Sequence, residues 1–289
     1  MIEHRVELSG GAMLHVEEDG QGPALLLLHS GVADRHMWDG QWAWLSRSFR
    51  VVRFDWRGFG ETAHVPGPFS YTDDVVRVMD ALNIPKAMLM GCSFGGGVAI
   101  HVTAEHPERI AGLVLVGAGL PGYAGENPPE VERLFAEEEA AEERGDVPAA
   151  MALMEQLWLV GPRRTVHQVD PVYLEQARQL LARTDRPANG SEFRDAGWSA
   201  LDRLGEIAAP VLLVVGDQDV PDVVQAAEFM ANRLPTARLA VMEDVAHLPN
   251  MERPAAFDAI LRDWLAAAGV SGGVENPGNG TDRPGARQG

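Results

Sequence analysis

Short apolar runs alternate with helical patterns along most of this chain. A run that is apolar at every residue is typical of a strand buried on both faces of a parallel sheet, and apolar residues three and four apart indicate a helix. This alternation predicts an α/β fold, with a mostly parallel central sheet and helices on both faces. The predicted strands lie at residues 23–28, 51–54, 87–91, 110–116, 211–215 and 237–241, and the predicted helices at 38–48, 71–82, 221–234 and 254–268 and after residue 93.

Three segments depart from this alternation. Residues 6–16 carry apolar positions on either side of a Ser-Gly-Gly sequence, which predicts an antiparallel hairpin. Residues 120–206 have no strand pattern and predict several helices separated by proline and glycine. They are interpreted as a helical cap, or lid, inserted between two parts of one core, residues 1–119 and 207–268. Residues 269–289 are rich in glycine, asparagine and proline, which predicts a disordered tail.

Composition excludes several classes of partner. The 289 residues carry a formal net charge of −18, and such a field repels nucleic acid and anionic membrane surfaces, so neither is expected as a partner. The only cysteine is Cys92, and Cys/His spacings typical of zinc sites are absent from the sequence, so no disulfide or metal is predicted. No nucleotide-binding glycine motif occurs, so no cofactor is predicted. Without a signal-peptide pattern or a long apolar run, a cytoplasmic monomer or homodimer is expected.

The first candidate catalytic motif is Gly91-Cys92-Ser93-Phe94-Gly95, which follows an apolar strand and precedes a helical pattern. This Gly-x-Ser-x-Gly pattern in a strand-to-helix turn is the signature of a nucleophile elbow, where small residues allow a strained serine backbone. Ser93 is therefore predicted as a catalytic nucleophile. Because it lies at a helix N-terminus, the backbone N–H of Phe94 is predicted to stabilise negative charge that forms there, as one donor of an oxyanion hole.

A serine hydroxyl needs a neighbouring base, usually a histidine that is itself oriented by a carboxylate. Asp217 and Asp219 follow the predicted strand 211–215, and Asp222 is close behind them; His247 follows the strand 237–241. The carboxyl ends of parallel strands meet at one edge of a sheet, so these side chains are expected near Ser93. Position in the chain alone leaves the choice among the three aspartates open.

These motifs together resemble the α/β-hydrolase superfamily of serine hydrolases, from about residue 3 to 268. The matching sequences are the elbow, His29-Ser30-Gly31, Asp55-Trp56-Arg57-Gly58-Phe59-Gly60, Gly216-Asp217-Gln218-Asp219 and Ala246-His247-Leu248-Pro249. Within the superfamily, residues 29–42 are similar to 3-oxoadipate enol-lactonases and their esterase relatives. The resemblance implies the α/β-hydrolase fold and a Ser93–Asp219–His247 triad, in the chain order of that family.

The same resemblance assigns the surrounding residues. Gly31 is implied as the second oxyanion-hole donor, although Ser30 replaces the glycine that the family usually has after His29. His29 is implied to shape the oxyanion loop and not to act as the base, and His36 is expected at the surface. No role beside Ser93 is expected for six other histidines, which are His4, His15, His64, His101, His106 and His167.

The cap suggests an apolar substrate. Its apolar residues are Leu134, Phe135, Met151, Met154, Leu157, Trp158, Phe193 and Trp198. Trp158 and Met154 are the substrate-binding candidates, since helical spacing of such residues more often reflects packing. The preferred prediction is a hydrolase of a small, largely apolar carboxylic ester or lactone. A carbon–carbon bond hydrolase of ring-fission diketones and a slow ligand-binding receptor on the same fold are the alternatives.

Overall fold

The computed structural model describes residues 1–184 and 199–269. Eight strands form one sheet in the order β1-β2-β4-β3-β5-β6-β7-β8. The strands β1 to β4 cover Ile2–Glu7, Met13–Asp19, Ala24–Leu28 and Arg50–Phe54; β5 to β8 cover Ala87–Cys92, Ile110–Val116, Val211–Gly216 and Ala237–Met242. Strand β2 pairs antiparallel with β1 and β4, and all other pairs are parallel. The predicted α/β class, hairpin and parallel sheet are therefore confirmed.

Ten α-helices connect and cover these strands in the described residues. Helices α1 to α5 cover Asp39–Leu45, Tyr71–Ala81, Phe94–Glu105, Pro129–Glu143 and Val147–Met154; α6 to α10 cover Pro171–Leu181, Ala200–Arg203, Pro221–Arg233, Pro249–Glu252 and Pro254–Ala267. The helix predicted at 38–48 is shorter than expected, because a separate 3₁₀ turn at Arg35–Trp38 precedes it. The Asp34 carboxylate accepts a hydrogen bond from the N–H of His36 and starts that turn.

The inner strands β3 to β7 are buried on both faces, as apolar runs such as that of β3 predict. Alternate residues of β3 point to opposite sides, so Leu26 and Leu28 join one hydrophobic cluster while Leu25 and Leu27 join the other. The first cluster packs helices α2, α3 and α8 against the sheet, and the second packs α1, α6 and α10 on the other face. The sheet is thereby held rigid, with the carboxyl ends of β5 to β8 along one edge.

The described part of the predicted cap, residues 120–184 and 199–206, holds helices α4 to α7 and no strand of the sheet. A six-residue π-helical segment, Glu155–Val160, follows α5 directly. Phe193, Trp198 and the predicted tail beyond residue 269 lie outside the described residues. Within the residues described, no helix is both long enough and apolar enough to cross a bilayer.

Candidate active site

The turn at Ser93 joins β5 to α3, and the backbone packs closely around it. Ser93 has φ 52° and ψ −117°, a strained combination for a residue with a side chain. A Cβ on Gly91 would lie 2.4 Å from the carbonyl oxygen of Gly95, and a Cβ on Gly95 would lie 2.5 Å from the carbonyl oxygen of Leu28. Only glycine therefore fits at both positions of the motif, and the turn presents Ser93 at the N-terminus of α3.

An aspartate and a histidine meet at the ends of the neighbouring strands. Both carboxylate oxygens of Asp219 lie 2.9 Å from Nδ1 of His247, and both side chains are almost completely buried. Since a carboxylate only accepts hydrogen bonds, Nδ1 carries the ring proton and Nε2 is an acceptor. Asp217 instead accepts a hydrogen bond from the Gln218 side chain. Of the two, Asp219 is the aspartate in contact with the imidazole.

The end of β6 makes room for this pair. Gly117 has φ 47°, and a Cβ there would lie 3.1 Å from Oδ2 of Asp219 and 3.2 Å from Nδ1 of His247. A side chain at this position would press on both partners of the hydrogen bond. The Gly-Ala-Gly that ends the strand is the only signal in the sequence for this role, and it is a weak one.

The loop that carries His247 is held by Arg164, which belongs to the predicted cap. Arg164 makes a bidentate ion pair with Glu252, at 2.7 and 3.1 Å, and also donates to the carbonyl oxygen of Asp244. The same Glu252 carboxylate accepts the N–H of Ala246, the residue before the histidine, at 2.8 Å. Both charged side chains are buried. This cap-to-loop clamp was not foreseen from the sequence, because its two partners are 88 residues apart.

Two residues near Ser93 also lie close to His247. The Trp158 ring lies 4.5 Å, centroid to centroid, from the His247 ring and borders the same cavity as Ser93. The Cys92 thiol lies 3.8 Å from the carbonyl oxygen of His247. Within residues 1–184 and 199–269, the Ser93 hydroxyl makes no direct hydrogen bond to the imidazole.

The loop after β3 lies beside the start of α3. A Cβ on Gly31 would be 3.8 Å from Cβ of Phe94, so the two predicted oxyanion-hole residues are neighbours. His29 is fully buried; its Nε2 accepts the N–H of Trp56, and its Nδ1 donates to the carbonyl oxygen of Ser30. Burial lowers the pKa of His29, which keeps the ring neutral. Both ring nitrogens are thus engaged by backbone, so His29 holds the loop in place.

A cavity of about 430 Å³ opens at Ser93. One wall is a face of α3 formed by Phe94, Gly97, Val98 and His101, which follow helical spacing. Trp158, one of the two substrate-binding candidates, lies on the wall. Met154, the other substrate-binding candidate, is buried in a hydrophobic core cluster and is not part of the cavity wall. His101 lies on the wall, contrary to the expectation that it is remote from Ser93.

The other lining residues were not predicted to bind substrate, and Asp222 was considered only as a partner for the histidine. They are Thr72 of α2, the loop residues Leu120, Pro121 and Tyr123, and Asp222, Val223 and Ala226 of α8. The wall is mostly apolar, as expected for an acyl or aromatic group. In the described residues, no group of three or more histidine, cysteine or acidic side chains is arranged to hold a metal ion.

The fold, with a strained serine on a strand-to-helix turn at the edge of a mostly parallel sheet, defines a class of protein. A family model described as alpha/beta hydrolase fold matches residues 23–254. The chain therefore belongs to the alpha/beta hydrolase family, as its motifs predicted.

Relatives within this family have several activities. The chain is 28% identical over 278 residues to the 2-hydroxymuconate semialdehyde hydrolase of Pseudomonas sp. strain CF600, covering 90% of this chain and 93% of that protein. A thermophilic esterase from Thermogutta terrifontis superposes with a TM-score of 0.75 at 27% identity, covering 93% and 99% of the two chains. The enol-lactonase from Burkholderia xenovorans LB400 superposes with a TM-score of 0.74 at 27% identity, covering 92% and 100%. The similarity to enol-lactonases and esterases predicted from residues 29–42 is confirmed.

Proposed function

We propose that this protein hydrolyses a carboxylic ester or lactone through an acyl-enzyme on Ser93. The observation that carries the proposal is the Asp219–His247 pair, placed at the same sheet edge as the strained Ser93 turn. Asp219 fixes the imidazole so that Nε2 acts as the acceptor. The esterase and enol-lactonase among the structural relatives agree with this chemistry.

The proposed reaction has two displacements. His247 takes the Ser93 proton as the hydroxyl attacks the carbonyl carbon, and the N–H groups of Gly31 and Phe94 stabilise the resulting oxyanion. The imidazolium then returns the proton to the leaving alcohol, and a tetrahedral intermediate collapses to the acyl-enzyme. Water, deprotonated by the same imidazole, then attacks the acyl-enzyme, and the imidazolium returns that proton to the Ser93 oxygen as the acid is released. Losing one oxyanion donor typically costs about 3 to 4 kcal/mol of barrier.

The test is a set of serine variants on a panel of 4-nitrophenyl esters and lactones. We expect Ser93→Ala to lose about 10⁴-fold or more in kcat, since a triad without its nucleophile retains only binding and oxyanion stabilisation. Ser48→Ala serves as the control and should keep full turnover, because Ser48 lies in the turn between α1 and β4, at the amino end of the strand and at the opposite edge of the sheet from Ser93. A fluorophosphonate should label the wild type once, at Ser93.

Two results would contradict the proposal. One is wild-type turnover by Ser93→Ala, and the other is phosphonate labelling that persists in that variant. If no ester or lactone is turned over while ligands of the panel still raise Tm, the receptor alternative is favoured.

Carbon–carbon bond hydrolysis is the second candidate, because a 2-hydroxymuconate semialdehyde hydrolase is among the relatives. The comparison of kcat/KM for ring-fission diketones with kcat/KM for esters distinguishes the two. A higher value for the diketones, lost in Ser93→Ala, would replace the ester proposal.

A further inference from the structure

Among the described residues that line the Ser93 cavity, one carries a carboxylate, and it is Asp222. The rest of the described wall is apolar, aromatic or neutral apart from His101, and it includes no lysine or arginine. An ionised carboxylate in such surroundings is poorly solvated, and a substrate group that compensates its charge would bind there favourably. Asp222 has no part in the proposed reaction, where Asp219 contacts the imidazole.

The immediate surroundings of Asp222 do not neutralise it. Its Oδ1 is buried and has no hydrogen-bond partner among the described residues. The polar groups beside it are neutral: Oδ1 of Asn127 accepts the backbone N–H of Asp222 at 3.1 Å, and the N–H of Val223 donates to the carbonyl oxygen of Val220. Burial raises the pKa of Asp222, and the nearby negative charges of Asp219 and Glu132 raise it further. Among the described residues, no lysine or arginine pairs with this carboxylate.

An aromatic ring lies next to this carboxylate. A Cβ on Gly125 would lie 2.7 Å from Cβ of Asp222 and 3.2 Å from Cε1 of Tyr123, so these two side chains lie on either side of the same glycine. Tyr123 borders the cavity, and so does Trp158 elsewhere on the wall. The faces of tyrosine and tryptophan rings attract cations, and most strongly when water is excluded. A carboxylate beside a tyrosine ring, in a cavity that a tryptophan also borders, is therefore a combination that suits an ammonium group.

We infer that the cavity binds an ammonium group of the substrate at Asp222, so that the preferred esters or lactones are cationic. This inference rests on the proposed function, since it takes the Ser93 cavity as the substrate site. The net charge of −18 favours the approach of such substrates over anionic ones. The cavity wall runs along α3 from Phe94 to His101, a distance of about 10 Å, which limits the useful length of the ligand.

The test compares two ligand series that differ in charge at one end. Calorimetry at about pH 8, where alkylamines are protonated, measures binding of n-alkylammonium ions from propyl to octyl and of the 1-alkanols of the same lengths. We expect the best ammonium ion to bind the wild type about tenfold or more tightly than its matched alcohol. Asp222→Asn should lose this preference. Glu228→Gln, on the exposed face of the same helix, removes an equal charge and should keep it.

The outcomes separate this inference from the proposed reaction. Equal affinity for ammonium ions and alcohols in the wild type, or a preference that survives in Asp222→Asn, overturns the inference even if esters are hydrolysed. Ser93→Ala should keep the ammonium preference. If the preference is present but no ester is turned over, the cation site stands and the proposed reaction fails. Folding of Asp222→Asn is checked by Tm, which should not fall because a poorly solvated charge is removed.

Discussion

At the scale of single residues, Gly117 is the position where the smallest change reaches the candidate catalytic groups. Its φ of 47° is a conformation that a side chain disfavours, and its missing Cβ is what allows Asp219 and His247 to pack against the end of β6. The backbone cost and the contact cost can be separated, because Gly145 has a similar φ of 68° with no atom within 4 Å of its missing Cβ.

We expect Gly117→Ala to lower kcat/KM by about 10²-fold, because a displaced imidazole no longer aligns with Ser93. Gly145→Ala should leave kcat/KM unchanged. Both variants should lose about 1 to 3 kcal/mol of unfolding free energy from the strained backbone, measured by urea denaturation. Equal effects of the two substitutions on kcat/KM would show that the close packing of Gly117 against Asp219 and His247 does not contribute to turnover.

At the scale of elements, the cap and the core meet through two features of residues 155–164. The π-helical segment Glu155–Val160 widens the helix and places Trp158 against His247 on one side and Phe135 on the other, with the ring centroids 4.5 and 5.8 Å apart. Such segments often occur at functional sites. Arg164 follows closely and binds Glu252, so one short stretch of the cap contacts the candidate base and also its loop.

We expect Arg164→Met to lower the free energy of unfolding by about 3 to 5 kcal/mol, because it leaves Glu252 buried without a counter-ion. The measurement is urea denaturation, with Arg178→Met as the control: Arg178 pairs with Glu155 in the same cap but is exposed, so its loss should cost about 1 kcal/mol or less.

The double variant Arg164→Met/Glu252→Met separates stability from activity. Replacing both charges should restore much of the stability, but the N–H of Ala246 still lacks its acceptor beside His247. We therefore expect kcat on esters to stay low in the double variant. Recovery of both stability and kcat would mean that the clamp does not position the imidazole.

At the scale of the whole molecule, the sheet could be predicted from the sequence. Uniformly apolar runs such as residues 211–215 leave few alternatives to buried parallel strands, so the observed β7 differs from its prediction by one residue. The Ser93 turn was also predictable, because close packing of strand and helix restricts Gly91 and Gly95 to one residue type. The meeting of Asp219 with His247 followed from the chain order of the family.

The cavity could not be predicted in the same way. His101 and Val98 share a helical face, and only the packing of the 119–123 loop and α8 decides that this face borders a cavity. Asp222 is three residues from Asp219, yet its place on the wall depends on where α8 lies. The clamp between Arg164 and Glu252 joins distant segments, and neither residue belongs to a local motif.

The net charge of −18 is also a property of the whole chain, and it predicts a salt response. Like charges on the surface repel one another in the folded state, and salt screens them. Buried pairs such as Arg35–Glu17 are screened much less. We expect Tm to rise by a few degrees between about 20 and about 300 mM NaCl, measured by calorimetry. A Tm that falls with salt would show that attractive surface pairs outweigh the repulsion.

The strained backbone of Ser93 serves the proposed activity but lowers the thermal stability of the protein. A residue with a side chain is held there in a conformation that glycine adopts at no cost, so the proposed nucleophile itself lowers the stability that this fold can reach. A selection for thermal stability alone could therefore replace Ser93. A selection for more stable variants has to include a selection for turnover.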